Sequence, residues 1–192
     1  ENQLPSVGAG NVLGDMLESG VIPAVRLTHI YRQARESMIV VNAHRINEGE
    51  FPLGSPHAPP KADFFWVEKE DLIELQSLVL RMVCERIPEA YGLDPMTDVQ
   101  VLTPMHKGEV GTVVLNRLLQ ERLNPDGREL IRGQRAYRVG DRILQLRNNY
   151  DKDVFNGDLG RVTGFDTEAE TLAAEFDGRA VEYDFDELDE IG

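Results

Sequence analysis

Apolar positions along the chain change period once, near residue 125, and that change divides it. Before it, helical spacing alternates with short, continuous apolar runs. Asn11 to Ser19 reads as a short helix stopped by Gly20, with Pro23 beyond. Val25 to Ile30 is β-branched enough for a strand. Arg35 to Asn47 sets Met38, Ile39, Asn42, Ala43 and Ile46 at helical spacing, with Gly49 as the stop. Residues 50–62 contain Pro52, Pro56, Pro59 and Pro60, a density that no helix or central strand survives. Phe64 to Val67 is a short apolar run that predicts a buried strand. Glu68, Glu70 and Asp71 then open a helix running to about Arg86, with Leu72, Leu75, Val79, Met82 and Val83 along one side. Val99 to Leu102 predicts a third strand, Thr103 to Glu109 a loop, and Gly111 to Leu123 a helix closed by Asn124-Pro125. Leu115, Leu118, Leu119 and Leu123 form its inward side. Strand and helix alternate three times, the pattern of an α/β parallel sheet covered by helices.

Past the boundary near Asp126-Gly127 the segments shorten and alternate. Asp141 to Arg147, Asp158 to Phe165, Thr171 to Phe176 and Arg179 to Phe185 predict four strands. Asp177-Gly178 is a two-residue hairpin signal, and Asn156-Gly157 marks another tight turn. Short strands with Gly-rich turns over this length predict a small antiparallel β-barrel.

Composition changes this picture little. The chain has 192 residues, 41% of them hydrophobic and 28% charged, which suits a folded core and excludes a collagen-like or wholly disordered chain. No apolar run reaches the ~20 residues needed to cross a bilayer, and no basic-then-apolar leader stands at the start. The single cysteine, Cys84, excludes an internal disulfide and a cysteine-rich zinc site. The cytosol is the expected compartment.

Charge changes it more. The net charge of -14 argues against a nucleic-acid partner, but the charge is segregated. From Asp166 onward there are 11 acidic residues against Arg179 alone, whereas residues 128–152 hold seven bases and three acids. Such a run is either a solvated face or a basic surface for phosphates.

Generic catalytic signatures are missing. No Gly is followed by Lys, so the G-x-x-x-x-G-K-[ST] phosphate loop is absent from these residues. The four histidines, His29, His44, His57 and His106, have no metal-ligand spacing, and no metal site is expected. Two less generic strings remain. Tyr31, Arg32 and Gln33 end the first expected strand, where ligands of α/β sheets bind; a tyrosine can stack a purine there and an arginine can neutralise a phosphoryl group. Thr103, Lys107 and Gly108 follow the third, where a hydroxyl, a charge and exposed backbone N–H groups can hold a phosphate.

Five longer strings carry a resemblance. They are Gln3 to Gly10 (QLPSVGAG), LTHIYRQA at 27–34, IVVNAHRINEG at 39–49, VLTPMHKGEVGTVVLNRLLQERLNP at 101–125 and YRVGDRILQLRNNYDKDVFNGDLGRV at 137–162. Together, in this order, they resemble the middle of RecD-like DNA helicases of superfamily 1, the group that includes the alpha subunit of exodeoxyribonuclease V. The resemblance implies two RecA-like domains sandwiching ATP and Mg2+, single-stranded DNA running across both, and an SH3-like barrel inserted in the second. It implies that residues 1–20 end the first domain, 21–127 form part of the second, and 128–192 form the barrel.

Roles follow by motif. Gln3 resembles the glutamine that senses the γ-phosphate and couples it to DNA. Tyr31 and Arg32 fall where the family places an aromatic by the nucleotide base and an arginine on the γ-phosphate, with Gln33 assisting. Thr103 and Lys107 fall in a motif that meets the DNA backbone, with His106 and Asn116 beside them. Arg147, Asn148, Asn149 and Tyr150 look like a family signature, serving either DNA contact or the architecture of the insertion. The phosphate loop would precede Glu1, and the remaining motifs would follow Gly192. The implied activity is an ATP-dependent, 5′ to 3′ helicase of recombination or repair, with RecB- and RecC-like subunits as partners and this piece inactive alone. The alternative is a non-enzymatic SH3-like module that binds protein or nucleic acid.

Overall fold

The computed structural model describes residues 10–25, 37–55 and 62–192. The chain divides into two compact units, Glu1–Glu68 and Lys69–Gly192.

In the first unit, α1 (Val12–Ser19) ends on Gly20, whose φ of 64° is the left-handed cap that glycine allows. The second helix, α2 (Met38–Asn47), starts at Ser37, whose hydroxyl accepts from the Val40 N–H. Its buried side differs from the one its apolar residues predict. Ile39 and Ile46 are exposed, while Asn42 is buried. Asn42 clamps the following segment with two bonds of 2.7 Å, donating to the Leu53 carbonyl and accepting from the Leu53 N–H. Arg45 adds a bond from Nε to the Phe51 carbonyl and an ion pair with Glu50. The helix is held by satisfied polar groups where periodicity alone expects apolar packing.

The expected parallel sheet is not formed by the described residues. Phe64 to Val67 and Val99 to Leu102 carry no strand pairing, and Phe65, Trp66, Val67 and Leu102 lie exposed. A strand exists only through its neighbours' hydrogen bonds, and no ladder reaches either segment among the described residues. Apart from Val25, the strand expected over 25–30 lies outside them.

The second unit opens with α3 (Leu72–Arg81). Asp71 caps it, one carboxylate oxygen accepting from the Ile73 and Glu74 N–H groups at 2.9 Å. Sequence expects this helix to stop near Arg86. It instead passes through a π-helical turn, Met82–Arg86, into α4 (Ile87–Tyr91). Pro88 has no N–H to give the preceding turn, and the wider turn absorbs that break. Leu80 and Val83 are the buried residues of this stretch, and the loop 92–111 then leads to α5 (Thr112–Leu123) with Leu115 buried.

Six strands follow: β1 (Glu129–Arg132), β2 (Arg135–Arg138), β3 (Arg142–Leu144), β4 (Leu159–Asp166), β5 (Thr171–Phe176) and β6 (Arg179–Asp184). The last four are those the alternation predicts, and Asp177-Gly178 turns between β5 and β6 with positive φ at both residues. The β1–β2 hairpin, turning at Gly133-Gln134, adds a pair of strands that the alternation does not predict. All pairings are antiparallel, but they form two sheets, β1-β2 and β3-β4-β5-β6, so the ladder does not close into a barrel. Side chains bridge the gap. Leu130 and Tyr137 of the small sheet join Val162, Leu172, Phe176, Tyr183 and Ile191 in one core. Outside it, the guanidinium of Arg128 lies over the Phe165 ring and that of Arg132 over Phe185.

Candidate nucleic-acid interface

The loop Thr103–Glu109 is folded back onto the start of α5. Thr103 donates its hydroxyl hydrogen to the Val110 carbonyl at 2.8 Å and accepts from the Met105 N–H at 3.4 Å. Gly108 takes a φ of 92°, which lets the loop reverse. The N–H groups of Gly111, Thr112 and Val113 return to the carbonyls of Gly108, Met105 and His106. Gly111 is needed for this closeness, since a Cβ there would lie 2.6 Å from the Lys107 carbonyl oxygen. The Gln76 side chain donates to the Glu109 carbonyl from α3, tying down the other side.

This changes how the loop can meet a phosphate. The Thr103 hydroxyl and those backbone N–H groups already have partners, so they shape the loop and are not free donors. What projects from it is side-chain chemistry. His106 is exposed, with Nδ1 2.9 Å from the Thr112 hydroxyl, leaving the opposite ring nitrogen outward. Lys107 is exposed and has no ion pair or hydrogen bond among the described residues. Asn116 is exposed one helical turn beyond Thr112, on the same side of α5.

The basic stretch is accounted for differently. Each of its seven cations is engaged. Arg128 donates to the Phe165 carbonyl, and Arg132 pairs with Glu170. Arg135 donates to the Ile191 carbonyl at 2.7 Å, and Arg138 pairs with Glu129 at 2.9 Å. Arg142 reaches the Met96 carbonyl, Arg147 pairs with Asp189 at 3.0 Å, and Lys152 pairs with Glu187 at 2.6 Å. Arg128, Arg132, Arg135 and Arg147 of this stretch are exposed, yet each also has a partner within the strand-rich module. Along Lys69–Gly192, the cations left without such partners among the described residues are Arg81, Arg86, Lys107 and Arg161.

The segment Arg147 to Phe155 is a built loop. Gln145, fully buried, donates to the Arg147 carbonyl and accepts from the Tyr183 hydroxyl at 2.7 Å. Asn148 accepts from the Asn156 N–H, and Asn149 donates to Glu190 and accepts from the Lys152 N–H. Burial is the largest influence on Glu187 and would raise its pKa. The hydrogen bond from Lys152, the Asp184 N–H and the Lys152 charge outweigh it and hold the carboxyl below its ordinary value. Tyr150 and Phe155 meet edge to face on the exposed side, with ring centres 5.9 Å apart. Burial, then the charge of Glu85, push the Cys84 thiol up despite Arg122, so it behaves as a small apolar residue.

The residues expected to meet a nucleotide, Gln3, Tyr31, Arg32 and Gln33, lie outside the described residues. Among those described, no group of three or more His, Cys, Asp or Glu could hold a metal ion. No described helix is long and apolar enough to cross a membrane. Sequence reading missed Asp141, Gln120 and Asn124, whose polar groups join α5 to the strands; a polar side chain at an inward helical position was the available signal.

Comparison with known proteins supplies the rest. Residues 115–176 match the family described as ATP-dependent RecD-like DNA helicase SH3 domain. Residues 1–64 match the AAA domain family. The ATP-dependent RecD2 DNA helicase of Deinococcus radiodurans is 34% identical over 183 residues, an alignment covering 94% of this chain and 23% of that protein.

Proposed function

We propose that this chain, which belongs to the RecD-like DNA helicases, forms part of an ATP-driven motor on single-stranded DNA. Its Lys107 loop holds the sugar–phosphate backbone. The observation that carries the reading is an unpartnered, exposed cation on this loop. Lys107 stands unpaired on a loop whose Thr103 hydroxyl and Met105 N–H are spent internally, while the seven cations of the strand-rich stretch are engaged. A backbone contact carries no sequence information, which suits a motor that runs on any strand. His106 and Asn116 extend the track along α5, while Thr103 and Asn148 shape their loops and Arg147 is matched by Asp189.

Within this reading Tyr31 and Gln33 hold the nucleotide, Arg32 neutralises its terminal phosphate, and Gln3 relays that state to the DNA. ATP with Mg2+ would supply the free energy for closing one motor domain on the other. The motor runs 5′ to 3′ in recombination or repair, with RecB- and RecC-like subunits as candidate partners, and this segment does not turn over ATP by itself.

Binding of a labelled oligothymidine across a salt series tests the reading. Lys107→Ala is expected to weaken binding and to flatten the log–log salt slope by about 0.7, one phosphate's share for a single strand. Arg128→Gln, which removes an engaged cation, is expected to change affinity less than about twofold, well under the ~1.5–3 kcal/mol of a charge-assisted hydrogen bond. Unchanged affinity in Lys107→Ala would overturn the assignment.

A second reading, a protein-binding module, draws on the Tyr150–Phe155 pair. These exposed rings are flanked by Asp151, Asp153 and Asp158, which repel phosphates and favour a protein with apolar and basic groups. Salt-insensitive peptide binding lost in Tyr150→Ala would favour it.

A further inference from the structure

One carboxylate outside the proposed DNA and nucleotide groups collects donors from three directions. Asp141 sits in the turn between β2 and β3. Its Oδ2 accepts from the Gln120 amide and from the Arg138 N–H, each at 2.6 Å, and its Oδ1 accepts from the Asn124 amide at 2.7 Å. Gln120 belongs to the last turn of α5, and Asn124 caps it. The same two amides reach past the carboxylate to the strands' backbone, Gln120 to the Ala136 carbonyl and Asn124 to that of Val139. Next in sequence, Arg142 donates to the Met96 carbonyl at 3.1 Å, fastening the turn to the loop before α5. The approach is close by design of sequence: a Cβ on Gly127 would stand 2.6 Å from Asn124 Oδ1 and 2.8 Å from the Val139 carbonyl oxygen.

We propose that Asp141 is the positioning residue that fastens the strand-rich module to α5, so that the module and the Lys107 loop move as one body. The twelve residues of α5 form a rod of about 18 Å at 1.5 Å per residue. At its start the His106 and Met105 carbonyls grip its first N–H groups, and at its end Asp141 grips its last side chains. Charge-assisted bonds to an ionised acceptor are the strong kind, and three of them converge on one group. Loss of that acceptor would leave only neutral-acceptor bonds between α5 and the strands, those of Gln120 to the Ala136 carbonyl, Asn124 to the Val139 carbonyl and Arg138 to the Asn124 carbonyl. No apolar packing would replace it, since α5 contributes no residue to the core of the module. A motor that pulls on DNA through Lys107 therefore carries the module with it, and the module's position reports that of the loop. The mechanical consequence rests on the DNA-facing reading of Lys107; the fastening itself does not.

Spin labels on Val113→Cys and Thr163→Cys, in a Cys84→Ala background of the full-length helicase, measure the α5-to-strand distance without DNA. One narrow distance is expected with Asp141 present, and a distribution broadened by several ångströms in Asp141→Ala. Gln120→Ala is the second variant should the first fail to fold, and a smaller broadening is expected there. In the same proteins, ATP consumed per nucleotide travelled is expected to rise about two- to fivefold while DNA-free hydrolysis stays unchanged, a split that plain loss of stability does not produce. A narrow distance retained in both variants, or a broad one with unchanged consumption per nucleotide, overturns the proposal. If Lys107→Ala leaves DNA affinity unaltered, the DNA reading fails by itself, and the distance measurement still judges the fastening.

Discussion

Tyr183→Phe removes a single oxygen from the centre of the strand-rich core. Tyr183 and Gln145 are both fully buried, and the Tyr183 hydroxyl is the donor to Gln145 Oε1, at 2.7 Å. Burial, then the charges of Glu190, Glu187 and Asp158, push the phenol up to about 12, so it remains a donor across the ordinary pH range. Without it, the Gln145 carbonyl is left in a sealed site with no donor, a loss of about 1–3 kcal/mol. For a unit of this size each kcal/mol moves the melting midpoint by roughly 3–5 °C, so a fall of about 3–15 °C is expected. Calorimetry of the wild type and variant reads it directly. Gln145→Leu in the same chain removes the stranded acceptor, and the double variant should cost little more than the costlier single one. A midpoint for Tyr183→Phe within 1 °C of wild type would refute the reasoning, because a buried acceptor that loses its donor at no cost was not contributing through that bond.

Gly160→Ala places a Cβ 2.6 Å from the Phe176 ring, which is itself buried; overpacking of this kind costs about 1–3 kcal/mol and should appear as a lower midpoint in denaturant. Asn42→Ala unclamps Leu53, leaving two backbone groups without partners at about 1–3 kcal/mol each. Hydrogen exchange at the Leu53 amide should accelerate at least tenfold, and an unchanged rate would count against the clamp. Glu187 has its folded pKa depressed below the ordinary 4.5. Its stabilisation is therefore present above that value and lost as pH falls through the folded pKa. Glu187→Gln should flatten the acid limb of the stability curve below about pH 4.5 and leave the neutral limb parallel to wild type.

Local signals carried much of this protein in the sequence alone. Helices α1, α3 and α5 and strands β3 to β6 lie close to where caps, turns and periodicity put them, because each needs only the chemistry of its own few residues. Gly20 stops α1, Asp71 starts α3, and Asp177-Gly178 turns β5 into β6. The five resembling strings anticipated the helicase family, since a motif survives as a string of residues whatever surrounds it.

The tertiary structure decided everything that depends on a partner distant in sequence. Phe64 to Val67 and Val99 to Leu102 have the composition of strands, yet strand pairing is supplied by another segment, and none of the described residues supplies it. The run of seven bases has the composition of a phosphate track, yet Glu170, Asp189, Glu187 and the carbonyls of Phe165, Ile191 and Met96 meet those charges from up to 56 residues away. The string around Lys107 marks it in the sequence as a phosphate candidate, but that its charge has no partner among the described residues is legible only in the fold. Composition counts charges; which of them remain available for a ligand depends on the groups that folding brings alongside.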